Sequence, residues 1–239
     1  MLNVILSDIY KNRKNKIFYI CALLVIIFSL WYSFRYVIVV KPPEDFHTWL
    51  NSAVMMSSIV LSVASGFVIT FFVQREYAEK TIINILSAPT HRISFVLSKL
   101  TVWFIWFLLV SVICISLLII GAELAYDSTF GKEELILLIS RVSVTYLFSF
   151  IASTPLLLVT FVQKHLFYPS LMCALVMTAF QMFTSIMPVK YSEIIPWSAS
   201  LLYGLGAGEQ YVYEALIPVL TAGVLGTAGA CMVFRKQDL

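Results

Sequence analysis

The stretch that decides the fold runs from Gln74 to Lys99 and reads QREYAEKTIINILSAPTHRISFVLSK. It is a charged interruption in a sequence that is almost continuously apolar on both sides. Within it, apolar side chains recur at the spacing of one helix face, at Ile82, Ile83 and Leu86. This pattern predicts a short helix that lies at a membrane surface, between two membrane-spanning segments.

The composition is that of an integral membrane protein. Of the 239 residues, 60% are hydrophobic and 12% are charged, and the mean hydropathy is +0.92; soluble domains carry about 25% charged residues. A helix needs about 20 apolar residues to cross the hydrocarbon core. We therefore predict an all-α integral membrane protein, a single transmembrane domain over residues 1–239. Its six transmembrane helices are expected at Ile17–Phe34, Leu50–Val73, Phe95–Ile120, Leu135–Val162, Phe167–Met187 and Tyr213–Phe234.

The distribution of charge predicts the orientation in the membrane, because Lys and Arg concentrate in cytoplasmic loops. With the N-terminus inside, the cytoplasmic side receives Lys11, Arg13, Lys14, Lys16, Arg75, Lys80, Arg92, Lys99, Lys164, Arg235 and Lys236. The outer side receives fewer, namely Arg35, Lys41, Lys132, Arg141 and Lys190. Both termini are therefore expected in the cytoplasm. The net charge of +3 follows from this topology and does not indicate a nucleic-acid partner.

Residues 1–16 predict a second surface helix. Ile5 and Ile9 fall on one helical face with other apolar residues, and Lys11 and Arg13 follow. This spacing indicates an interfacial amphipathic helix that leads into the first span. The alternative is a flexible basic tail that obeys the positive-inside rule. Arg92 is expected in the same headgroup layer, ahead of the third span.

Three positions inside the spans have more than one interpretation. Ser58 belongs to a serine-rich second span, where small side chains either allow close helix packing or line a polar path. Pro155 removes a backbone hydrogen bond from the fourth span, and Ser153, Thr154 or a neighbouring helix is expected to satisfy the freed carbonyl. Gln181, in the fifth span, needs a partner for its amide, either on another helix or on a substrate.

The connection between the last two spans, residues 188–209, predicts a re-entrant region. Pro188, Pro196 and several glycines interrupt it, yet Trp197 and many of its neighbours are apolar. The segment is too interrupted to cross the membrane and too apolar for an ordinary exposed loop. We expect short helices that dip into the outer leaflet and return, which requires that protein or a cavity satisfies the backbone.

The sequence contains no catalytic or metal-binding pattern. His47, His91 and His165 fall on both predicted membrane faces, and the four cysteines lie inside predicted spans. The phosphate-binding pattern G-x-x-x-x-G-K-[ST] does not occur. The spans also lack the intramembrane acidic and basic residues typical of an ion-coupled carrier. We therefore expect no catalytic residue, metal or cofactor on this chain, and the energy for any transport has to come from a partner.

The whole chain resembles the permeases of ABC-2 type ABC exporters. Besides the six spans, the amphipathic N-terminus and the re-entrant region, the resemblance is carried by Glu76-x-x-Glu79-x-Thr81, Leu86-Ser87-Ala88-Pro89-Thr90-His91-Arg92, Lys99 and the terminal Phe-Arg-Lys-Gln-Asp. The segment between the second and third spans looks like that family's coupling helix, in a loop covering residues 74–92. Within the family, this segment is most similar to bacitracin and lantibiotic immunity permeases of Gram-positive bacteria.

The resemblance implies a dimer of permease chains, identical or homologous, in a bacterial plasma membrane. It also implies two copies of a separate ABC ATPase subunit, which bind the ATP and Mg²⁺. The residues that would dock in the ATPase are Arg75, Glu76, Glu79, Lys80, Thr81, Ile82, Ile83 and Leu86. The N-terminal helix and the headgroup layer would complete that surface with Ile5, Ile9, Lys11, Arg13 and Arg92.

The sequence thus leads to one main hypothesis and two others. The main one is an ATP-driven permease that moves an amphipathic antimicrobial peptide or a lipid-like molecule out of the cell or off the membrane, with Ser58, Pro155, Gln181 and Trp197 as translocation or packing positions. Exporters of drugs, ions, polysaccharides or cytolytic peptides share the scaffold, and the fold does not choose the substrate. The other class is a non-transporting immunity or sensor protein that binds peptide at its outer surface, in the region Glu193 to Glu214.

Overall fold

The computed structural model describes residues 2–13, 15–38, 43, 45–79, 92–126, 130–164, 166–206 and 210–236. Within these ranges the chain folds into α-helices joined by short turns. In chain order they are α1 Leu2–Asn12, α2 Lys16–Ile38, α3 Phe46–Ala78, α4 Arg92–Tyr126, α5 Lys132–Ser153, α6 Pro155–Gln163, α7 Tyr168–Phe183, α8 Val189–Ser192, α9 Pro196–Leu202 and α10 Gln210–Lys236.

Five apolar helical stretches are long enough to cross a membrane, which confirms an all-α membrane protein. They are Lys16–Tyr36, Phe46–Ala78, Arg92–Tyr126, Lys132–Gln163 and Tyr213–Lys236. The fifth predicted span, Phe167–Met187, contains instead the 16-residue helix α7. At 1.5 Å per residue, α7 extends about 24 Å, short of the roughly 30 Å hydrocarbon core. Six spans therefore remain a prediction.

Helix α3 lies at the centre of the bundle. Buried residues make up 61% of its most apolar stretch, compared with 33% for α2. Small side chains let the neighbours approach closely: a Cβ added to Gly66 would lie 2.7 Å from the Cβ of Ala174 in α7. The Ser58 hydroxyl is buried and donates to the carbonyl of Met55 in its own helix. In this structure Ser58 is therefore a packing residue.

The fourth span breaks into α5 and α6 at Thr154, directly before Pro155. Proline has no N–H to donate to the carbonyl of Ile151 four residues earlier. The Thr154 hydroxyl donates to that oxygen instead, at 2.8 Å. Among the partners expected from the sequence, Thr154 is thus the one that the structure shows.

The region before α10 contains the short helices α8 and α9, and α9 packs against α5, α7 and α10. The Trp197 indole N–H donates to the carbonyl of Ala152 at 2.8 Å, next to the α5–α6 break. Its ring stacks on Phe180, with centroids 5.9 Å apart. The protein interior thus satisfies the polar groups of α9, as a re-entrant helix requires.

Helix α10 fits against the α5–α6 break through a glycine. A Cβ added to Gly226 would lie 2.5 Å from the backbone nitrogen of Pro155 and 2.6 Å from the carbonyl carbon of Thr154. Backbone atoms cannot move aside as a flexible side chain can. At Gly229 an added Cβ would meet only the end of the Leu158 side chain, at 3.1 Å.

We expect Gly226→Ala to destabilise the protein more than Gly229→Ala. Overpacking costs about 1–3 kcal/mol, and each kcal/mol lowers the Tm of a chain of this size by about 2–4 °C. Thermal unfolding in detergent measures the difference, and the gain in helix propensity is the same for both substitutions. Equal Tm values for the two variants would contradict the close packing of α10 on the break.

Candidate functional site

Charged side chains from α1, α3 and α4 meet at one end of the bundle. We call this group the ionic cluster; its members are Asp8, Lys11, Arg75, Glu76, Glu79 and Lys99. Three carboxylates and three cations balance in charge. The cluster lies where α3 leads into the predicted coupling loop and where α4 returns from it, and the contacts of α1 with α4 are made here.

Lys99 forms the enclosed part of the ionic cluster. Its side chain has no exposed surface, and its Nζ lies 2.7 Å from Asp8 Oδ1 and 2.9 Å from Glu76 Oε1. The two carboxylate residues are 7% and 2% exposed. The ammonium also lies over the rings of Phe72 and Phe95, 4.2 and 4.8 Å from their centroids. One cation thus ties α1, α3 and α4 together in a site that excludes water.

A serine adds a hydrogen bond to the enclosed part. The Ser98 hydroxyl lies 2.9 Å from Asp8 Oδ2, so both oxygens of that carboxylate have partners. A buried ion pair needs such additional bonds, because the attraction alone does not offset the loss of hydration. These bonds form only when α1 packs against α4 in this position, with Asp8 next to Ser98 and Lys99.

The remaining members carry the ionic cluster outward to the surface. Lys11 Nζ lies 3.0 Å from Glu76 Oε2 and 3.1 Å from Glu79 Oε2. Arg75 Nε lies 2.6 Å from Glu79 Oε1, at i and i+4. The Arg75 and Glu79 side chains are 33% and 39% exposed, so they are the members that a partner protein can reach.

These contacts shift two pKa values outside the spans. The hydrogen bond from Arg75, followed by that from Lys11, lowers the pKa of the Glu79 carboxyl below its usual value despite some opposing desolvation. Burial by itself lowers the pKa of Lys11, but Glu76 and Glu79 together raise it above the usual value. Both groups are therefore held in their charged forms around neutral pH.

The structure places the predicted docking residues in two groups. Arg75 and Glu76 belong to the last turn of α3 and Glu79 is its C-cap, so this part continues α3 and is not a separate surface helix. The Glu76 carboxylate lies inside and contacts Lys11 and Lys99, whereas Glu79 lies at the surface. The other expected docking residues, Lys80, Thr81, Ile82, Ile83 and Leu86, lie outside the described residues.

The predicted interfacial residues lie at the same end of the bundle. Residues 2–12 form the helix α1, with Ile5 against the core and Ile9 exposed. Arg13 is exposed just after this helix. Arg92 begins α4, and its Nη1 donates to the carbonyl of Arg235 at 2.8 Å, which links α4 to the end of α10.

Gln181 and Trp197 line a small polar cavity between α3, α5, α7 and α9. The Gln181 amide donates to the Ser149 hydroxyl at 2.9 Å, which is the interhelical bond expected from the sequence. The Ser149 hydroxyl lies 3.3 Å from that of Ser200. The cavity measures about 10 Å³, room for a single water at most. In this conformation these positions are packed.

Sequence reasoning missed Asp8 and the role of Lys99. A signal for Asp8 exists: it stands three residues after Ile5 and one before Ile9, on the apolar side of α1. An acid on the buried face of an amphipathic helix requires a cation from another element. Lys99 is the enclosed cation that answers this requirement. Within the described residues, no group of three His, Cys, Asp or Glu is placed to hold a metal ion.

Comparison with known proteins gives the family. A sequence model described as ABC-2 family transporter protein matches residues 4–181, which include the whole ionic cluster. The chain belongs to the ABC-2 transporter family. It is also similar to the bacitracin transport permease protein BCRB of Bacillus licheniformis, with 26% identity over 176 residues, covering 73% of this chain and 83% of the relative.

The family membership confirms the main features predicted from the sequence. The chain is a multi-pass membrane permease of the ABC exporter type, a transport subunit of a family whose members work with an ABC ATPase subunit. The ionic cluster of this ABC-2 permease lies at both ends of the loop predicted to contact that subunit.

Replacing Lys99 by Met should cost about 3–5 kcal/mol, because the enclosed Asp8 and Glu76 carboxylates lose their shared cation. The combined variant Asp8→Asn, Glu76→Gln, Lys99→Met should recover most of this loss, since no buried charge is left unpaired. Thermal unfolding in detergent gives the order of stability. A combined variant as unstable as Lys99→Met alone would show that the ionic contacts do not cause the loss.

The ion pairs of Glu79 with Lys11 and Arg75 predict that the stability of the protein depends on pH. The folded-state pKa of Glu79 is lowered, so its stabilising contribution is present above the usual glutamate pKa of 4.5 and disappears as the pH falls through the lower folded-state pKa. Glu79→Gln should therefore have a lower Tm than the parent protein at neutral pH, and this difference should vanish as the pH falls through the folded-state pKa. High salt should also reduce the difference, because Glu79 is exposed. A difference unaffected by pH and salt would contradict the ion pairs.

Proposed function

We propose that this chain is the permease subunit of an ATP-driven exporter that moves an amphipathic antimicrobial peptide, or a lipid-like molecule, out of the cell or off the membrane. The transport class rests on the family match. The substrate class is supported by the name of the relative, a bacitracin transport permease. Self-protection against such a peptide is the function that fits both.

The proposed assembly has two permease chains and two ABC ATPase subunits, with ATP and Mg²⁺ on the ATPases. We place both termini in the cytoplasm and assign six spans. The fifth consists of α7 together with the turns that follow it and precede α8. Lys11, Arg75 and Arg92 then lie on the cytoplasmic side, in agreement with the positive-inside rule. The ionic cluster would therefore face the ATPase.

The observation that carries the coupling mechanism is the position of Lys99 between Asp8 and Glu76. A partner that pushes on residues 74–92 would act on the end of α3 and the start of α4. Because Lys99 joins both helices to α1, the three would move as one unit. ATP can drive this movement only if the ATPase makes different contacts with that unit in its two states.

Within this proposal the members of the ionic cluster have different tasks. Arg75 and Glu79 are exposed and contact the ATPase, together with the loop residues Lys80 to Leu86 and α1. Glu76 is enclosed, so it transmits the movement and does not dock. Docking is thus assigned to Arg75 and Glu79, and transmission of the movement into the bundle is assigned to Glu76.

We expect charge reversal at the docking surface to weaken the complex. Glu79→Lys should reduce the amount of ATPase that co-purifies with the permease, and bacitracin-stimulated ATP hydrolysis, by about tenfold, equivalent to about 1.4 kcal/mol. The matched control is Glu133→Lys, which reverses an exposed acid at the start of α5, at the opposite end of the bundle. Co-expression, pull-down and hydrolysis assays measure both effects.

Equal losses in the two charge-reversal variants would contradict the docking assignment. If no ATPase co-purifies with the parent chain itself, the transport proposal fails. In that case a protein that binds peptide at its outer surface without an ATPase becomes the better description.

A further inference from the structure

Arg141, which the distribution of charge assigned to the outer side, lies inside a membrane-spanning helix, so the spans contain at least one basic residue that was not expected within them from the sequence. It stands nine residues after Lys132, the first residue of the stretch Lys132–Gln163, about 14 Å along a helix of about 48 Å. A hydrocarbon core of about 30 Å centred on that helix would begin about 9 Å from its start, so Arg141 falls within it. An ionisable residue at this depth is costly and marks a functional site by default.

The guanidinium of Arg141 faces other parts of the protein. Its Nη1 donates to Asn51 Oδ1 in α3 at 3.1 Å. On another side it lies against Gly206, in the turn that follows α9: a Cβ added there would lie 2.9 Å from Nη1 and 3.2 Å from Nη2. Arg141 is thus enclosed on two sides and half-buried overall.

The turn at residues 203–206 has a backbone conformation that lets the Arg141 guanidinium lie against Gly206. Gly206 has a φ of +76°, in the left-handed region that favours glycine. Its N–H donates to the carbonyl of Tyr203 at 3.1 Å, which closes the turn. A larger residue would suffer both from this φ and from collision with the guanidinium. The turn is therefore shaped around the cation.

The charge of Arg141 is not balanced by the part of the chain that the structure describes. No Asp or Glu oxygen in the described ranges lies within 4.0 Å of it. Glu134, two helical turns towards the start of α5, accepts the backbone N–H of Gly131 instead. A guanidinium has five N–H donors and stays charged. Asn51 accepts from one of them.

A second polar group without a partner lies one helical turn further along α5. Thr145 is fully buried, and its hydroxyl has no hydrogen-bond partner within the described residues. A Cβ added to Gly204, in the same turn as Gly206, would lie 2.4 Å from this hydroxyl oxygen. Arg141 therefore keeps donors that Asn51 does not use, beside Gly206, while the Thr145 hydroxyl is enclosed against Gly204.

We propose that Arg141 binds the oxyanion headgroup, a phosphate or a carboxylate, of an amphipathic molecule that approaches the guanidinium between α3, α5 and the turn at residues 203–206. The planar fork of Arg matches either group with two parallel hydrogen bonds. The position below the headgroup level selects an anion that is carried by an apolar chain. Resting on the proposed function, this site would hold the polar end of the exported molecule.

Arg35 is a useful contrast at the same end of the bundle. Its guanidinium lies 4.7 and 4.4 Å from the ring centroids of Tyr32 and Tyr36 and also donates to the Tyr36 hydroxyl. Aromatic faces stabilise that cation. Arg35→Gln therefore removes the same charge as Arg141→Gln without touching the proposed site.

The test measures ligand-induced shifts in Tm on the permease alone in dodecyl maltoside. The probes are dodecyl phosphate, dodecanoate, dodecyltrimethylammonium and inorganic phosphate at equal ionic strength. The two anionic amphiphiles should raise the Tm of the parent protein and of Arg35→Gln by about 3–6 °C at about ten times the Kd. The cationic amphiphile should not. Arg141→Gln should lose the response to the anionic probes.

Asn51→Asp keeps the test decisive even if Arg141→Gln fails to fold. It places a carboxylate oxygen where Asn51 Oδ1 now lies, 3.1 Å from Nη1, and so supplies a counter-charge that the described residues do not provide, with almost no change in shape. This variant should be at least as stable as the parent protein without probe. Its apparent Kd for the anionic amphiphiles should be about tenfold or more weaker, since a hydrogen bond to a charged group is lost.

The outcomes separate the alternatives. An equal rise in Tm with inorganic phosphate would identify a free oxyanion as the ligand of the same site. An unchanged response to the anionic amphiphiles in Asn51→Asp, or equal losses in Arg35→Gln and Arg141→Gln, would overturn the proposal. Because no ATPase or ATP is present, the result is independent of whether the chain pairs with an ATPase.

Discussion

The ion pairs of the enclosed Lys99 ammonium are the interaction on which this end of the permease depends. The ammonium holds the carboxylates of Asp8 and Glu76 within 2.9 Å, and so joins the N-terminal helix to the two longest helices of the bundle. Three charges without access to water are expensive unless each has its partners. Any displacement of α1 from α3 and α4 would expose or unpair one of them. The cost of separation favours movement of the three helices as a unit.

This unit lies at both ends of residues 74–92, the loop proposed to contact the ATPase. Arg75 and Glu79 face outward, while Glu76 connects the same turn of α3 to the interior. Inside the bundle, the α5–α6 break is held by Thr154, by Trp197 and by the close approach of Gly226. The permease therefore combines an ion-paired base at one end with a helix that is interrupted within the bundle, near the polar contacts of Gln181. Movement at the base can reach the break through α3, which contacts α5, α6 and α7.

The sequence predicted most of the helices because apolar runs of about 20 residues have few alternatives in a membrane. It also predicted the interhelical role of Gln181, since a buried amide has to find a partner. The early end of α7 was not predicted, because composition does not fix where a helix ends: Phe183 is followed by turns although Ile186 and Met187 remain apolar. The burial of Glu76 was missed for a different reason. Its neighbours in sequence are charged, and only the packing of α1 onto α4 brings Asp8 and Lys99 beside it.

The central claim is that the ionic cluster makes α1, α3 and α4 one mechanical unit. Nitroxide labels at Tyr10 of α1 and Ile93 of α4, both exposed, test it by pulsed electron spin resonance in a background without native cysteines. We predict a narrow distance distribution that is the same with and without ATP in the complex with the ATPase. It should broaden when Asp8→Asn, Glu76→Gln and Lys99→Met are combined. A distance that shifts on ATP binding, or a distribution that the combined variant leaves unchanged, would contradict the account.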